Sequence, residues 1–180
     1  EAQIKYLINQ ANIRTSEIQG TSVQEFLQTL RDIKADQKGY MLDNIEVSAY
    51  ASPDGSMKVN TALAQKREQS SKKYVGESLK KNNLETELDT RYTAEDWDGF
   101  QQLLQASNVQ DKDIILRVLS MYQDPEEREK QIRNISAGYD ELAKEILPEL
   151  RRARLTIHYN LIGRSDDEIQ EQLKTDASKL

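Results

Sequence analysis

The sequence predicts an α/β chain, an α+β sandwich built on a small four-stranded sheet, with an all-helical insertion before the last strand. Three observations carry that reading. Apolar residues alternate with polar ones at Ile4-Tyr6-Ile8, from Ile45 to Ala51, from Leu84 to Tyr92 and from Leu155 to Tyr159, the period of a half-buried strand. Between the first three of these runs the spacing changes to threes and fours, the period of a helix with one apolar side. Between Tyr92 and Arg154 only helical patterns occur, so the last strand returns late.

Composition bounds the function. At 180 residues the chain is long enough for one well-buried domain. An apolar fraction of 37% against a charged fraction of 31%, with two Phe and one Trp, predicts a thin core and long solvated helices. The formal charge of -6 makes a general binder of nucleic acid or anionic membrane a poor fit. With no cysteine there are no disulfides and no thiolate chemistry, and a single histidine excludes multi-histidine metal sites. No cofactor is expected. No run of apolar residues is long enough to span a bilayer. The chain opens at Glu1 without a methionine or signal peptide and reads as a processed or excised piece.

Taken in order, Ile4, Tyr6 and Ile8 mark a short first strand, and Asn12 to Ser16 a polar exit from the sheet. Val23, Phe26, Leu27, Leu30 and Ile33 define the first helix, with Ser22 and Glu25 spaced as a capping box. Tyr40 to Val47 feed the second strand. It ends at Pro53-Asp54-Gly55, and Ser56 is placed to cap the helix that follows by accepting from a free N–H of its first turn. That helix is expected to reach about Lys81, stop at Asn82-Asn83, and bury a stripe of Val59, Leu63, Ser70, Tyr74 and Leu79. Leu84 to Tyr92 form a third strand with one charged face.

The insertion, at about 94–150, reads as three helices. One covers Ala94 to Ala106 and one Asp111 to Tyr122. The third is opened by Asp124-Pro125 and runs through Ile132, Ile135, Tyr139, Leu142 and Ile146, with Pro148 bending its end. Arg154 to Leu161 make the last strand. The domain therefore spans 1–162, and 163–180 is a polar segment with an N-cap pattern at Ser165.

The residues with chemical potential cluster where the second strand becomes a helix. Asn60, Leu63 and Arg67 lie along one side of that helix. A strand end, a polar turn and a helix that brings an amide and a guanidinium beside it can form a small anion pocket. Glu95, Asp96 and Asp98 read as acidic capping at a helix start. His158 has no ligand-type companion and reads as a sheet-surface residue. Trp97 and Phe100 read as core. No nucleophile, base or carboxylate pair stands in a recognisable context, so the chain is not expected to be an enzyme.

The stretch SAYASPDGSMKVNTALAQKRE resembles the central motif of the OmpA-like domain of outer-membrane proteins and lipoproteins, with Gly55, Ser56, Asn60, Leu63 and Arg67 at matching positions. RRARLTIHYN resembles that family's last strand, with Arg154 at its second arginine. The resemblance implies a βαβαβ-β mixed sheet with two helices on one face. It also implies a non-catalytic periplasmic domain that binds peptidoglycan stem peptide and anchors an outer-membrane-associated protein to the cell wall. Arg67 would hold the diaminopimelate carboxylate, matching its fork of donors to two oxygens, with Arg154, Asn60 and the Gly55 turn beside it. Where peptidoglycan-binding members carry an aspartate for the ligand's ammonium, this chain has Ser52, leaving Asp54 as the available carboxylate. The competing reading is that Arg67 pairs with a carboxylate such as Asp54, and that the chain is a scaffold for an envelope protein partner.

Overall fold

The computed structural model describes residues 1–162, and within them not the side chains of residues 136–138. The expected helix start at Ser165 and the polar segment 163–180 lie outside the described residues. The fold is α+β, with a four-stranded mixed sheet in the order β1-β4-β2-β3. Strand β1 is Ala2–Lys5, β2 is Tyr40–Tyr50, β3 is Glu87–Thr93 and β4 is Arg152–Leu161. Helices α1 (Thr15–Ile18) and α2 (Thr21–Ala35) lie between β1 and β2, and α3 (Met57–Lys81) lies between β2 and β3. Strands β2 and β3 pair in parallel, while β4 runs antiparallel to both β2 and β1.

One face of the sheet meets helices α2 and α3. Ile4, Ile45, Val47, Ala49, Ala153 and Leu155 from the strands pack there against Val23, Phe26, Leu30 and Ile33 of α2 and Val75 and Leu79 of α3. Ser56 caps α3 as expected, its hydroxyl accepting from the Val59 N–H at 3.2 Å. The helix ends at Lys81 with Asn82 as its cap, and Asn83 turns the chain with φ at 52°.

Several local expectations are corrected. The first strand stops at Lys5 rather than reaching Ile8, which is exposed in the turn that follows. The capping box at Ser22 does not form: the N-cap of α2 is Gly20, two residues earlier, and the Ser22 hydroxyl accepts instead from the Gln3 N–H of β1. The buried stripe of α3 is displaced from the expected one. Val59 is 55% exposed, and Asn60, Ala64, Arg67, Ser71, Val75 and Ser78 face inward, while Leu79 is buried and Tyr74 packs on the core as expected. The physical reason is small side chains at Ala64, Ser71 and Ser78 that let α3 lie close on the sheet, with Arg67 reaching inward between them.

The insertion forms its own apolar core from Phe100, Leu104, Ile115, Leu119, Ile132, Leu142, Ile146 and Leu150. It contains α4 (Trp97–Gln105), α5 (Lys112–Met121), α6 (Pro125–Arg133) and α7 (Ser136–Glu141). A π-helical turn at Leu142–Ile146 and a 3-10 turn at Leu147–Leu150, which carries Pro148, complete it. The single long helix expected after Asp124 is thus broken at Asn134. Its start is as read, with Asp124 accepting from the Glu127 N–H and Pro125 in the first turn.

A buried ion pair ties this unit to the sheet. Asp96 caps α4 through the Gly99 N–H and stands 3.4 Å from Arg152 of β4, both side chains 6% exposed. Gly99 is required there, because a Cβ would lie under 3.0 Å from the Asp96 carboxylate. The Arg152 guanidinium also lies 4.9 Å from the centre of the Tyr50 ring and donates to the Glu149 carbonyl. Removing one partner of a buried pair strands the other charge. Asp96→Ala is therefore expected to cost about 3–5 kcal/mol in equilibrium denaturation. Asp98→Ala, exposed on the same turn, should cost under about 1 kcal/mol.

Candidate functional site

The turn after β2 is held from within. Gly55 has φ at +95°, a conformation that glycine adopts without steric cost and that lets the chain turn sharply into α3. The Asn60 side chain, nearly fully buried, donates to the Asp54 carbonyl at 3.0 Å and so fixes the turn to the first coil of the helix. The Ser52 hydroxyl donates to the Asp54 carboxylate across Pro53. Ser52, Asp54, Gly55 and Asn60 are therefore brought together, and the Ser52–Asp54 and Asn60–Asp54 hydrogen bonds brace the turn.

Arg67 lies two helical turns beyond Asn60 and is 0% exposed. Its Nε donates to the Gln10 carbonyl at 2.9 Å, Nη1 to the Tyr50 carbonyl at 2.9 Å and Nη2 to the Leu7 carbonyl at 3.2 Å. The Tyr6 ring lies 5.2 Å from the guanidinium carbon, with its hydroxyl 2.6 Å from Ser71 on the next turn of α3. Burial pushes the Arg67 pKa down to about 10 and the Tyr6 phenol up, so the guanidinium still carries its charge at neutral pH. All three nitrogens of the guanidinium are engaged by backbone carbonyls. The alternative of an ion pair with Asp54 is not what the side chain makes either.

Arg154 stands elsewhere. It projects from the face of the sheet opposite α3, in register with Ser48, with Nε 3.5 Å from Glu1 and its guanidinium 5.6 Å from the Tyr50 ring centre. The fold does not bring it to the turn. His158 pairs with Glu46 on that same face, 3.4 Å away.

The insertion covers the turn, which sequence reasoning missed. Glu129 of α6 accepts from the Gly55 N–H at 3.0 Å, using the turn amide that an anionic ligand would otherwise meet. Arg133 in turn pairs with Glu129 at 2.8 Å. Between Asp54 and the insertion lies a small cavity of about 20 Å³, lined by Pro53, Asp54, Trp97, Phe100, Glu129 and Tyr139 among others, room for about one water. A wider, open cleft of about 450 Å³ runs along Gly55 and Ser56 against Glu126, Glu129, Lys130 and Arg133 of α6. Glu95 lies nearby with its carboxyl pKa raised by burial. Among the described residues no group of three or more metal-ligating side chains occurs, and no helix is long and apolar enough to cross a membrane.

No protein-family model matches the chain, and no curated protein matches it.

Replacing Arg67 removes three charge-assisted bonds, leaves the carbonyls of Gln10 and Tyr50 without the guanidinium and that of Leu7 with only the Gln10 N–H, and opens a cavity. Arg67→Ala should destabilise the fold by about 3–5 kcal/mol, lowering the melting temperature by roughly 10 °C in a chain of this size. Arg67→Lys should recover only part of the loss, because one ammonium cannot span three carbonyls in the plane of a guanidinium.

Proposed function

We propose that the chain is a non-catalytic domain of OmpA-like organisation that works in the bacterial periplasm as a protein-interaction or assembly module, and that it does not bind peptidoglycan stem peptide. The observation that carries this reading is the state of Arg67, wholly buried with every nitrogen bonded to backbone. A ligand carboxylate would need two of those donors, and taking them would unfasten the loop after β1 and the end of β2.

The neighbouring contacts support the same reading. Glu129 occupies the Gly55 amide, and the small cavity beside Asp54 has the size of a water rather than of a diaminopimelate side chain. The Asp54 carboxylate, which would have to receive the ligand's ammonium, is held by Ser52. For a partner, the insertion offers α5, where Ile114 and Met121 stand 50% and 66% exposed. They are seven residues apart and so share one side of the helix, with Arg117 between them. Solvated apolar side chains arranged this way suit the helix or groove of another protein. The resemblance of the turn motif and of the last strand to OmpA-like domains supports the periplasmic placement, next to an outer-membrane-associated protein.

Calorimetric titration with soluble diaminopimelate-containing muropeptide tests this at moderate fixed salt. The expected result is no heat above dilution for the wild-type chain. Saturable heat that disappears in Arg67→Lys while the protein stays folded would return the turn to the role of a peptidoglycan site.

A further inference from the structure

We propose that the helix-free face of the sheet carries a binding site for a phosphate group, held between Arg91 of β3 and Arg154 of β4 across Ser48 of β2. The register builds it. Ser48 is directly opposite Arg154 on one side and Arg91 on the other. Ile45, Val47 and Ala49 point to α2 and α3, so Ser48 and both arginines leave the opposite face. The strand spacing sets their Cα atoms about 10 Å apart. The small serine between them is itself only 6% exposed, and is covered in part by Arg91.

The state of the two guanidiniums points to a missing anion. Arg91, exposed, has one hydrogen bond, from Nε to the Ser48 hydroxyl at 2.8 Å, which leans it inward over the serine. Its two terminal amino groups have no partner among the described residues. Arg154 has a buried Nε without a hydrogen bond, and the carboxylate nearest to it, Glu1, is half exposed at 3.5 Å. Arg154 also touches the Tyr50 ring, but Arg152, on the same strand face, is held more fully, by a buried pair with Asp96 and a hydrogen bond to the Glu149 carbonyl. Two guanidiniums set across one serine, with terminal amino groups that have no partner among the described residues, suit a tetrahedral dianion, whose several oxygens accept from both sides, better than a carboxylate, which one fork satisfies.

The surroundings select the source of the phosphate. Glu46 and Asp89 form the next row on this face, and the chain as a whole carries -6. An extended anionic surface such as a lipid bilayer would meet these carboxylates, whereas a single phosphate on a small molecule would not. The ligand class is therefore a small soluble phosphate-bearing compound. This assignment does not rest on the interaction-module reading, since the site lies on the face of the sheet away from α3.

The test is a titration of the protein with inorganic phosphate at pH 7 and low ionic strength, followed through the arginine Nε–H signals by NMR. The expected result is a saturable shift of the Arg91 and Arg154 signals together. Arg91→Gln and Arg154→Gln should each weaken binding roughly tenfold, and Arg91→Lys should fall with them because the fork is lost. Lys72→Gln, the same charge change on the far side of α3, should leave the affinity unchanged. Shifts that do not saturate, that spread over all arginines alike, or that persist in Arg91→Gln and Arg154→Gln would overturn the site. Sedimentation with phosphatidylglycerol vesicles, without any response to inorganic phosphate, would overturn it as well.

Discussion

The fold depends on a charge buried without a counter-charge. Arg67 reaches from the middle of α3 to three backbone carbonyls: those of Leu7 and Gln10 in the loop that leaves β1, of which Leu7 also accepts from the Gln10 N–H, and that of the last residue of β2. Buried backbone acceptors without partners are costly, and loops near a core supply them. A guanidinium answers this need where an apolar side chain cannot, because it is planar and presents donors in several directions at once. The same side chain thus brings three separate parts of the chain to one point. The Tyr6 ring below it and the Tyr6–Ser71 contact beside it close the point from the strand side.

That fastening decides what the neighbouring turn can do. The Pro53-Asp54-Gly55 turn has a left-handed glycine, a buried asparagine and a helix start, features that elsewhere gather around an anion. Here the donors are already engaged. Arg67 is directed at backbone and the Gly55 amide at Glu129, a carboxylate brought by the insertion. The insertion is itself anchored by the buried Asp96–Arg152 pair at 3.4 Å, so its position over the turn is set by the sheet and not by a flexible linker. The proposed function therefore lies outward, on the exposed side of α5, and the proposed phosphate site on the other face of the sheet.

Much of this was legible in the sequence. The sheet was visible from period-two alternation, and α3 from the Ser56 cap and the Asn82-Asn83 stop, because these signals are local. The acidic group at Glu95-Asp96-Asp98 read correctly as a helix start. The buried side of α3 was not legible. Pattern reading follows large apolar residues and so chose Val59 and Leu63, whereas the true inner side carries Asn60, Ala64, Arg67 and Ser71. The partners of Arg67 left no trace either, since a carbonyl acceptor belongs to every residue and marks none. The lid contributed by Glu129 was hidden for a related reason: it links residues 74 positions apart, and nothing local at either end announces it. The break of the third inserted helix at Asn134 escaped because the apolar spacing continues across it.

The most direct test of this account is hydrogen exchange of the Arg67 Nε–H, read from arginine side-chain NMR signals in the native protein. Bound to the Gln10 carbonyl inside the core, that proton should exchange only through global opening, as slowly as the best-protected amides of β2 and β4. Exchange at the rate of a solvent-exposed arginine would contradict the account, and would mean that Arg67 is open to solvent and to a ligand.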